Sequence, residues 1–375
     1  MTPVDGKTIA GIQYLRGLAA FMVLYFHAID QFPALFRGLG PFGHVGVAGV
    51  DIFFVISGFI MWTITARGAA GDGRGAPVDF LVKRIVRIVP LYWVFTALAV
   101  VAGLVLPQAL HNRSTDGGHI LASFLFIPHF HPAFPGMPFP VLVPGWSLQF
   151  EMVFYWVFAL FVGCTAAVRL AAVPAVIGGL VLLGLAVRPE SAVGVTYTDP
   201  LMLEFVAGML LGAAYRAGWL RSVVLGWGGV LAFPVLIPLL TTLVMEDYAV
   251  SGPARLVAWG GPAVLLVAGV LCLERRGRMP VVPALRLIGD ASYALYLSHL
   301  FTLGALRAAW RAVGLPTGGG WDIAFAALVC VAGVAVAVAV HRLVEIPLVN
   351  AVRRLAGQGR TSKATNPLPA GERVG

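Results

Sequence analysis

Apolar runs of about twenty residues follow one another along almost the whole chain, at approximately 9–29, 46–66, 84–106, 145–164, 169–187, 199–216, 222–244, 254–273, 286–306 and 322–344. In hydrocarbon every backbone N–H and C=O must be satisfied internally, so runs of this length fold as helices that cross a bilayer. With 11% of its 375 residues charged and a mean hydropathy of +0.88, the chain is far from a soluble globule, where about a quarter of residues are charged. The expected fold is all-α: a polytopic integral membrane protein of ten transmembrane helices. Residues 1–8 form a cytoplasmic N-terminus, 9–347 one transmembrane domain, and 348–375 a cytoplasmic tail, largely disordered from Gly357 onward. No small-residue cleavage site follows the first run, which Arg16 interrupts, so it is expected to persist as an anchor.

The net charge of +9 is topological rather than a nucleic-acid signature. If the N-terminus is cytoplasmic, nineteen of the 26 basic residues fall on the inner side, six on the outer, and Arg16 inside the membrane. Both termini then face the cytoplasm of a multi-pass protein, the expected location being the inner membrane. Cys164, Cys272 and Cys330, an odd and widely spaced set within apolar runs, make neither a disulfide framework nor a zinc pattern.

Ionisable groups inside spans are expensive and mark function. Arg16 and His27 are eleven residues apart, which on a helix is three turns plus about 20°, so they share one face about 16 Å apart along the axis. A cation and a titratable base thus sit at two depths of one stripe. Asp30, three residues beyond His27, is read as an interfacial helix end or as a carboxylate that orients the imidazole.

Asp51, in the second span, and Glu151, in the fourth, are counted to lie near the depth of His27. An aspartate there would raise the imidazole's basicity and fix its tautomer; a carboxylate at the helix N-terminus is the bland alternative. Arg84 and Arg87 share a face at the inner mouth of the third span, where they suit phosphate or ordinary anchoring. Trp146 and Ser147 open the fourth span, and Ser292, Tyr293, Tyr296 and His299 form a polar stripe along the ninth, the wall of a cavity. Gly46, Gly49, Gly208 and Gly212 permit close helix approach. His341, Arg342 and Glu345 are expected as a helix-end network. The long connection 107–144 carries an apolar patch, Ile120 to Ile127, too short to span. Its His129 and His131 lack a third spaced ligand, so no metal is expected.

In order and spacing, the Arg-x10-His pair of Arg16 and His27, GVDIFFVISGF, the Arg-x-x-Arg of Arg84 and Arg87, Trp-Ser-Leu followed by Glu151, and the Tyr-x-x-Tyr-x-x-His of the ninth span resemble the acyltransferase-3 family of bacterial membrane acyltransferases. The resemblance runs from Tyr14 to about Pro347. It implies ten helices that take an acyl group from cytoplasmic acyl-CoA, acetyl-CoA above all, as a co-substrate rather than a resident cofactor. The group goes to a hydroxyl of an envelope glycan or related acceptor at the outer face. Some members carry an SGNH-type esterase-like domain; without one, transfer is completed by the membrane unit or by an extracytoplasmic partner protein.

On that reading Arg16, Arg84 and Arg87 bind the donor's phosphates, and His27 is the general base, or carries a transient acyl group. Asp51 or Glu151 orients it, Ser147 or Tyr293 supplies an oxyanion donor, and Trp146, Ser147, Tyr293, Tyr296 and His299 line the acceptor cavity. The alternative reading is a proton-coupled transporter or flippase using the same buried groups, although inverted repeats are not visible.

Overall fold

Helix α1 (Ala10–Ile29) starts against a carboxylate from the far end of the chain: Glu274 accepts from Ala10 N at 3.0 Å and from Gly11 N at 2.9 Å. These bonds satisfy two of the four orphan amides of the helix start and place negative charge on its positive pole. The structure, a computed structural model, describes residues 3–4, 7–65, 76–105, 116–244 and 252–356. Expectations for the basic residues Arg67, Arg74, Arg113, Arg360, Lys363 and Arg373, and for disorder over 357–375, lie outside the described residues.

The elements that follow are α2 (Pro33–Gly38), α3 (Pro41–His44), a 3-10 turn (Val45–Ala48), α4 (Gly49–Thr65), α5 (Ala76–Val105), α6 (Gly117–Phe124), α7 (Trp146–Phe161), α8 (Ala166–Val187), α9 (Ala192–Tyr197) and α10 (Met202–Ala217). Then come α11 (Val223–Val244), α12 (Pro253–Arg255), a π-turn (Leu256–Gly260), α13 (Gly261–Arg275), α14 (Pro283–Asp290), α15 (Ser292–Ala312), α16 (Gly320–Val340), a second π-turn (His341–Glu345) and α17 (Ile346–Leu355). Apart from a two-residue antiparallel pairing of Pro3–Val4 with Lys7–Thr8 and a bridge between His131 and Phe134, the described residues are helical or irregular. We call the end where α1 begins proximal and the other distal.

All ten expected spans contain helix, and seven are long and apolar enough to cross a membrane: Ala10–Ile29, Pro41–Thr65, Pro77–Val105, Ala166–Val187, Val223–Leu243, Pro253–Arg275 and Gly320–Leu355. The other three, α7, α10 and α15, are short or polar. Helices α7 and α10 have 16 residues each, about 24 Å of rise, and α15 carries the polar stripe. The ninth expected span is broken at Ala291 into α14 and α15. The tenth continues through its π-turn into α17, so the tail that was expected from residue 348 is helical to Leu355.

Close approach of helices is set by glycines, since lipid offers no hydrophobic drive for helix pairing. A Cβ on Gly58 would lie 1.9 Å from the Phe205 carbonyl oxygen, and one on Gly208 1.9 Å from that of Val55, so α4 and α10 cross in direct backbone contact. Gly46 and Gly49 bring α4 against Met22 and Ala19 of α1 in the same way. These contacts bear out the small-residue stripes and fix the rotation of α4, which matters for Asp51.

Over the distal end lie residues 117–145, anchored on α5 where Tyr92 OH donates to Ser123 O at 3.0 Å and Trp93 Nε1 to Phe124 O at 2.8 Å, and tied within themselves where Val141 N donates to Ser123 Oγ at 2.9 Å. The short interfacial element expected around Ile120–Ile127 is α6, capped by Asp116.

Candidate active site

At the distal end of α1 the His27 Nδ1 lies 3.5 Å from Asp30 Oδ2, both side chains about a quarter exposed at 24% and 29%. Asp30 is itself held, because Gln31 Nε2 donates to its Oδ1 at 2.7 Å and Arg307 of α15 donates to the Gln31 side-chain oxygen Oε1. The carboxylate beside the imidazole is thus the local one. His27 also stacks on His299, ring centroids 5.1 Å apart. His299 Nδ1 donates to the Tyr296 carbonyl at 2.8 Å, which fixes its proton there and leaves the buried Nε2 without a partner among the described residues.

His27 and Asp30 open on a distal cavity of about 560 Å³ that Phe26, Phe36, Phe139, Trp146 and Trp259 wall with aromatic rings. A second, tighter cavity of about 100 Å³ lies on the proximal side, lined by Arg16, Arg84, Arg87, Ser57, Glu151, Tyr155, Ser147, Tyr293 and Tyr296 among others. The three expected donor-binding arginines are therefore together. Arg16 bonds Gln13 at 3.3 Å, and Arg84 Nε is buried without a partner. Among the described residues none of the three guanidiniums pairs with a carboxylate within 4.0 Å. Glu151 is the carboxylate in the lining, so three cations face one anion in a low-dielectric cavity, an excess of positive charge that an anionic ligand offsets.

The cavities meet at one side chain. Tyr296 lines both, and its hydroxyl lies 2.8 Å from Ser147 Oγ and donates to the Pro144 carbonyl at 2.7 Å. Held by these two contacts, Tyr296 stands between the cavity of the arginines and the cavity of the histidine.

Three expected roles change. Asp51 does not reach His27: Arg255 donates to it from Nε at 3.2 Å and from Nη2 at 2.8 Å, both residues wholly buried, with the guanidinium over Trp146 and Trp259. Gly49 faces α1, and two residues further along a helix is about 200° of rotation, so Asp51 points to the opposite side. By the same contact Arg255, counted as an outer-loop cation, is a core residue. Glu204 joins this buried network.

Glu151 also misses His27. Ser57 Oγ donates to it at 2.7 Å and Tyr155 OH bonds the same oxygen, on the proximal cavity. Helix α7 starts directly after the 117–145 cap and Glu151 lies on the cavity of the arginines, so counting turns from the first residue of α7 misjudged its level. Tyr293 OH donates to the Ile88 carbonyl at 2.8 Å, which occupies the hydroxyl expected as an oxyanion donor. Trp146 and Tyr296 stand in the cavity walls as expected, whereas His299, expected there too, lines neither cavity and is stacked against His27.

Sequence reasoning missed Arg353, which α17 brings into the electrostatic surroundings of Arg84, as well as Gln13, Ser57 and Tyr155. The signal for Arg353 was available: α17 is a short amphipathic helix with two arginines in its last turn. His341 and Glu345 pair at 2.7 Å, as the helix-end network expected. In the distal cap His119 adds a third imidazole to His129 and His131, its Nδ1 3.0 Å from His129 Nε2. No group of three ligating side chains among the described residues has the arrangement to hold a metal ion.

A family model described as an acyltransferase domain, acyltransferase-3, matches residues 9–342. The chain is 38% identical over 321 residues to the exopolysaccharide production protein ExoZ of Rhizobium meliloti, covering 84% of this chain and 94% of that one. It is 24% identical over 401 residues to the acyltransferase MdmB of Streptomyces mycarofaciens, covering 97% and 95%. Over 169 residues, 43% of this chain and 25% of the relative, it is 27% identical to the peptidoglycan O-acetyltransferase OatA of Listeria monocytogenes. No solved structure matches the chain.

Proposed function

Since the chain belongs to the acyltransferase-3 family, and is a membrane acyltransferase of the O-acetyltransferase type, we propose that it moves an acyl group, acetyl in the first instance, from cytoplasmic acyl-CoA to a hydroxyl of an envelope glycan at the outer face of the inner membrane. One observation carries the reading: three arginines with no carboxylate within 4.0 Å among the described residues share a cavity, and on the far side of a single tyrosine lies a histidine paired with a carboxylate. Phosphates of coenzyme A suit the arginines in geometry and charge. The thioester end of the donor then points along the Arg16–His27 stripe.

His27, held by Asp30, takes the proton of the acceptor hydroxyl as its oxygen attacks the thioester carbonyl. The negative Asp30 stabilises the imidazolium that forms. When the tetrahedral intermediate collapses, the C–S bond breaks and the thiolate recovers the proton from His27. The excess of basic residues on the proximal side supports a cytoplasmic origin for the donor, and ExoZ's role in exopolysaccharide production supports a glycan acceptor. The transfer is completed by this unit alone or with an extracytoplasmic partner. The transporter reading has no comparable support.

The test uses purified protein in liposomes with labelled acetyl-CoA and exopolysaccharide from cells deleted for this protein. Label should appear in the glycan with wild type and not with His27→Ala; equal transfer from both removes the proposal.

A further inference from the structure

The two cavities are divided by very little. Tyr296 alone among the polar residues lines both, and what holds it across the boundary is the bond to Ser147 and the bond to the Pro144 carbonyl. Neither partner is charged, and Ser147 can turn its hydroxyl to another acceptor at small cost. A thioester rising from Arg16, Arg84 and Arg87 towards His27 meets this pair before anything else.

The pair is also at the reacting end of the path. Tyr296 and His27 line the same distal cavity, and His299 neighbours both, its ring 6.2 Å from that of Tyr296 and 5.1 Å from that of His27. Tyr293, one turn towards the proximal end, spends its hydroxyl on Ile88. Of the other hydroxyls lining the proximal cavity, Ser57 and Tyr155 donate to Glu151, and Ser292 Oγ, buried without a partner among the described residues, does not line the distal cavity. Tyr296 and Ser147 are the hydroxyls at the junction whose protons can be redirected.

We infer that Tyr296, with Ser147 beside it, is a further catalytic residue: its hydroxyl closes the passage when no donor is bound and, once the acyl end displaces it from Pro144, donates to the thioester carbonyl oxygen. As the acceptor oxygen bonds to the carbonyl carbon and His27 takes its proton, the carbonyl π electrons move onto that oxygen. The phenol and serine hydroxyls stabilise the oxyanion by hydrogen bonding without losing their protons. The electrons return as the C–S bond breaks.

This inference rests on the acyl-CoA reading above, and its test separates the two. Wild type, Tyr296→Phe and Tyr296→Ala are compared in liposomes for acetyl transfer from labelled acetyl-CoA to the exopolysaccharide, for CoA binding by filtration, and for acetyl-CoA hydrolysis without acceptor. Phenylalanine keeps the ring and removes only the donor, so kcat should fall about 10²-fold while CoA affinity stays within about twofold. Alanine opens the partition and should raise hydrolysis above wild type. Transfer by wild type alongside a Tyr296→Phe kcat within about threefold of it, or a loss of CoA binding that matches the loss of turnover, overturns the role of Tyr296 alone. Wild type that neither binds CoA nor transfers acetyl overturns the acyl-CoA reading and this inference with it. Should Tyr296→Phe not be recovered folded, Ser147→Ala carries the same kcat-against-binding split.

Discussion

The Asp51 carboxylate is gripped by Arg255, 204 residues away in sequence, through two nitrogens at 3.2 and 2.8 Å, with no solvent reaching either side chain. The pair ties the start of α4 to the turn that enters α13, beneath the two tryptophans of the distal cavity. It holds that wall in place rather than touching substrate. Asp51→Ala strands a buried guanidinium and should cost about 3–5 kcal/mol of stability. Thermal unfolding in detergent should therefore shift downward, whereas the protein that remains folded should turn over within about tenfold of wild type. A fully folded but inactive Asp51→Ala would return Asp51 to the chemistry.

His27 and Asp30 behave in the opposite way. His27→Gln should leave the melting temperature unchanged and lower transfer by about 10²–10⁴-fold, the range for losing a general base. Asp30→Asn, and more weakly Gln31→Leu, should lower kcat without altering CoA binding, because both act through the orientation of the imidazole. Steady-state kinetics with separate CoA-binding measurements distinguish this from a fold defect.

For the proximal arginines the effect falls on the donor. Replacing Arg16, Arg84 or Arg87 with Gln removes a charge-assisted bond of about 1.5–3 kcal/mol and should weaken CoA binding roughly 10–100-fold. Arg353→Gln should have a smaller effect, since that side chain is exposed, acts on Arg84 only through space and is screened by solvent. Titrating CoA at two salt concentrations should show the salt dependence diminished in each variant.

Packing predicts a contrast between glycines. Gly208→Val or Gly58→Val forces a side chain into backbone 1.9 Å away and should abolish recovery of folded protein, whereas Gly178→Ala meets nothing within 4 Å and should be neutral or stabilising. Expression and monodispersity by size-exclusion chromatography check both.

In the distal cap, burial together with the neighbouring His131 and His129 holds the His119 imidazole well below its usual 6.5, at about 4, against the opposing pull of Asp116. The unfolded cap binds this proton near 6.5 and the folded cap does not. Its contribution to stability is therefore fully present above pH 6.5 and is lost as pH falls through about 4. Hydrogen exchange over residues 117–141 should quicken between those values, and His119→Asn should flatten that dependence.

Much of the site was legible because it lies along single helices. The Arg16–His27 stripe, the Arg84–Arg87 pair and the Tyr296–His299 turn follow from helical period alone, and the structure has each of them on one face. Asp30 was in view but set below Asp51, since a carboxylate on a neighbouring helix looked the better partner. That ranking failed because Gly49, not Asp51, is the residue α4 presents to α1.

By itself the sequence determined an all-helical membrane chain, the family it belongs to, and which local faces carry charge, because hydrophobic run length and a 3.6-residue period are properties of neighbours in the chain. Only the tertiary structure decided that Asp51 belongs to Arg255, that Glu151 lies below Tyr296 rather than beside His27, and that Ser147 and Tyr296, 149 residues apart, meet between two cavities. Depth and partnership depend on how far each helix is sunk and how it is rotated. Those quantities are set where glycine backbones touch and where a long connection covers a helix end, contacts between segments remote in sequence.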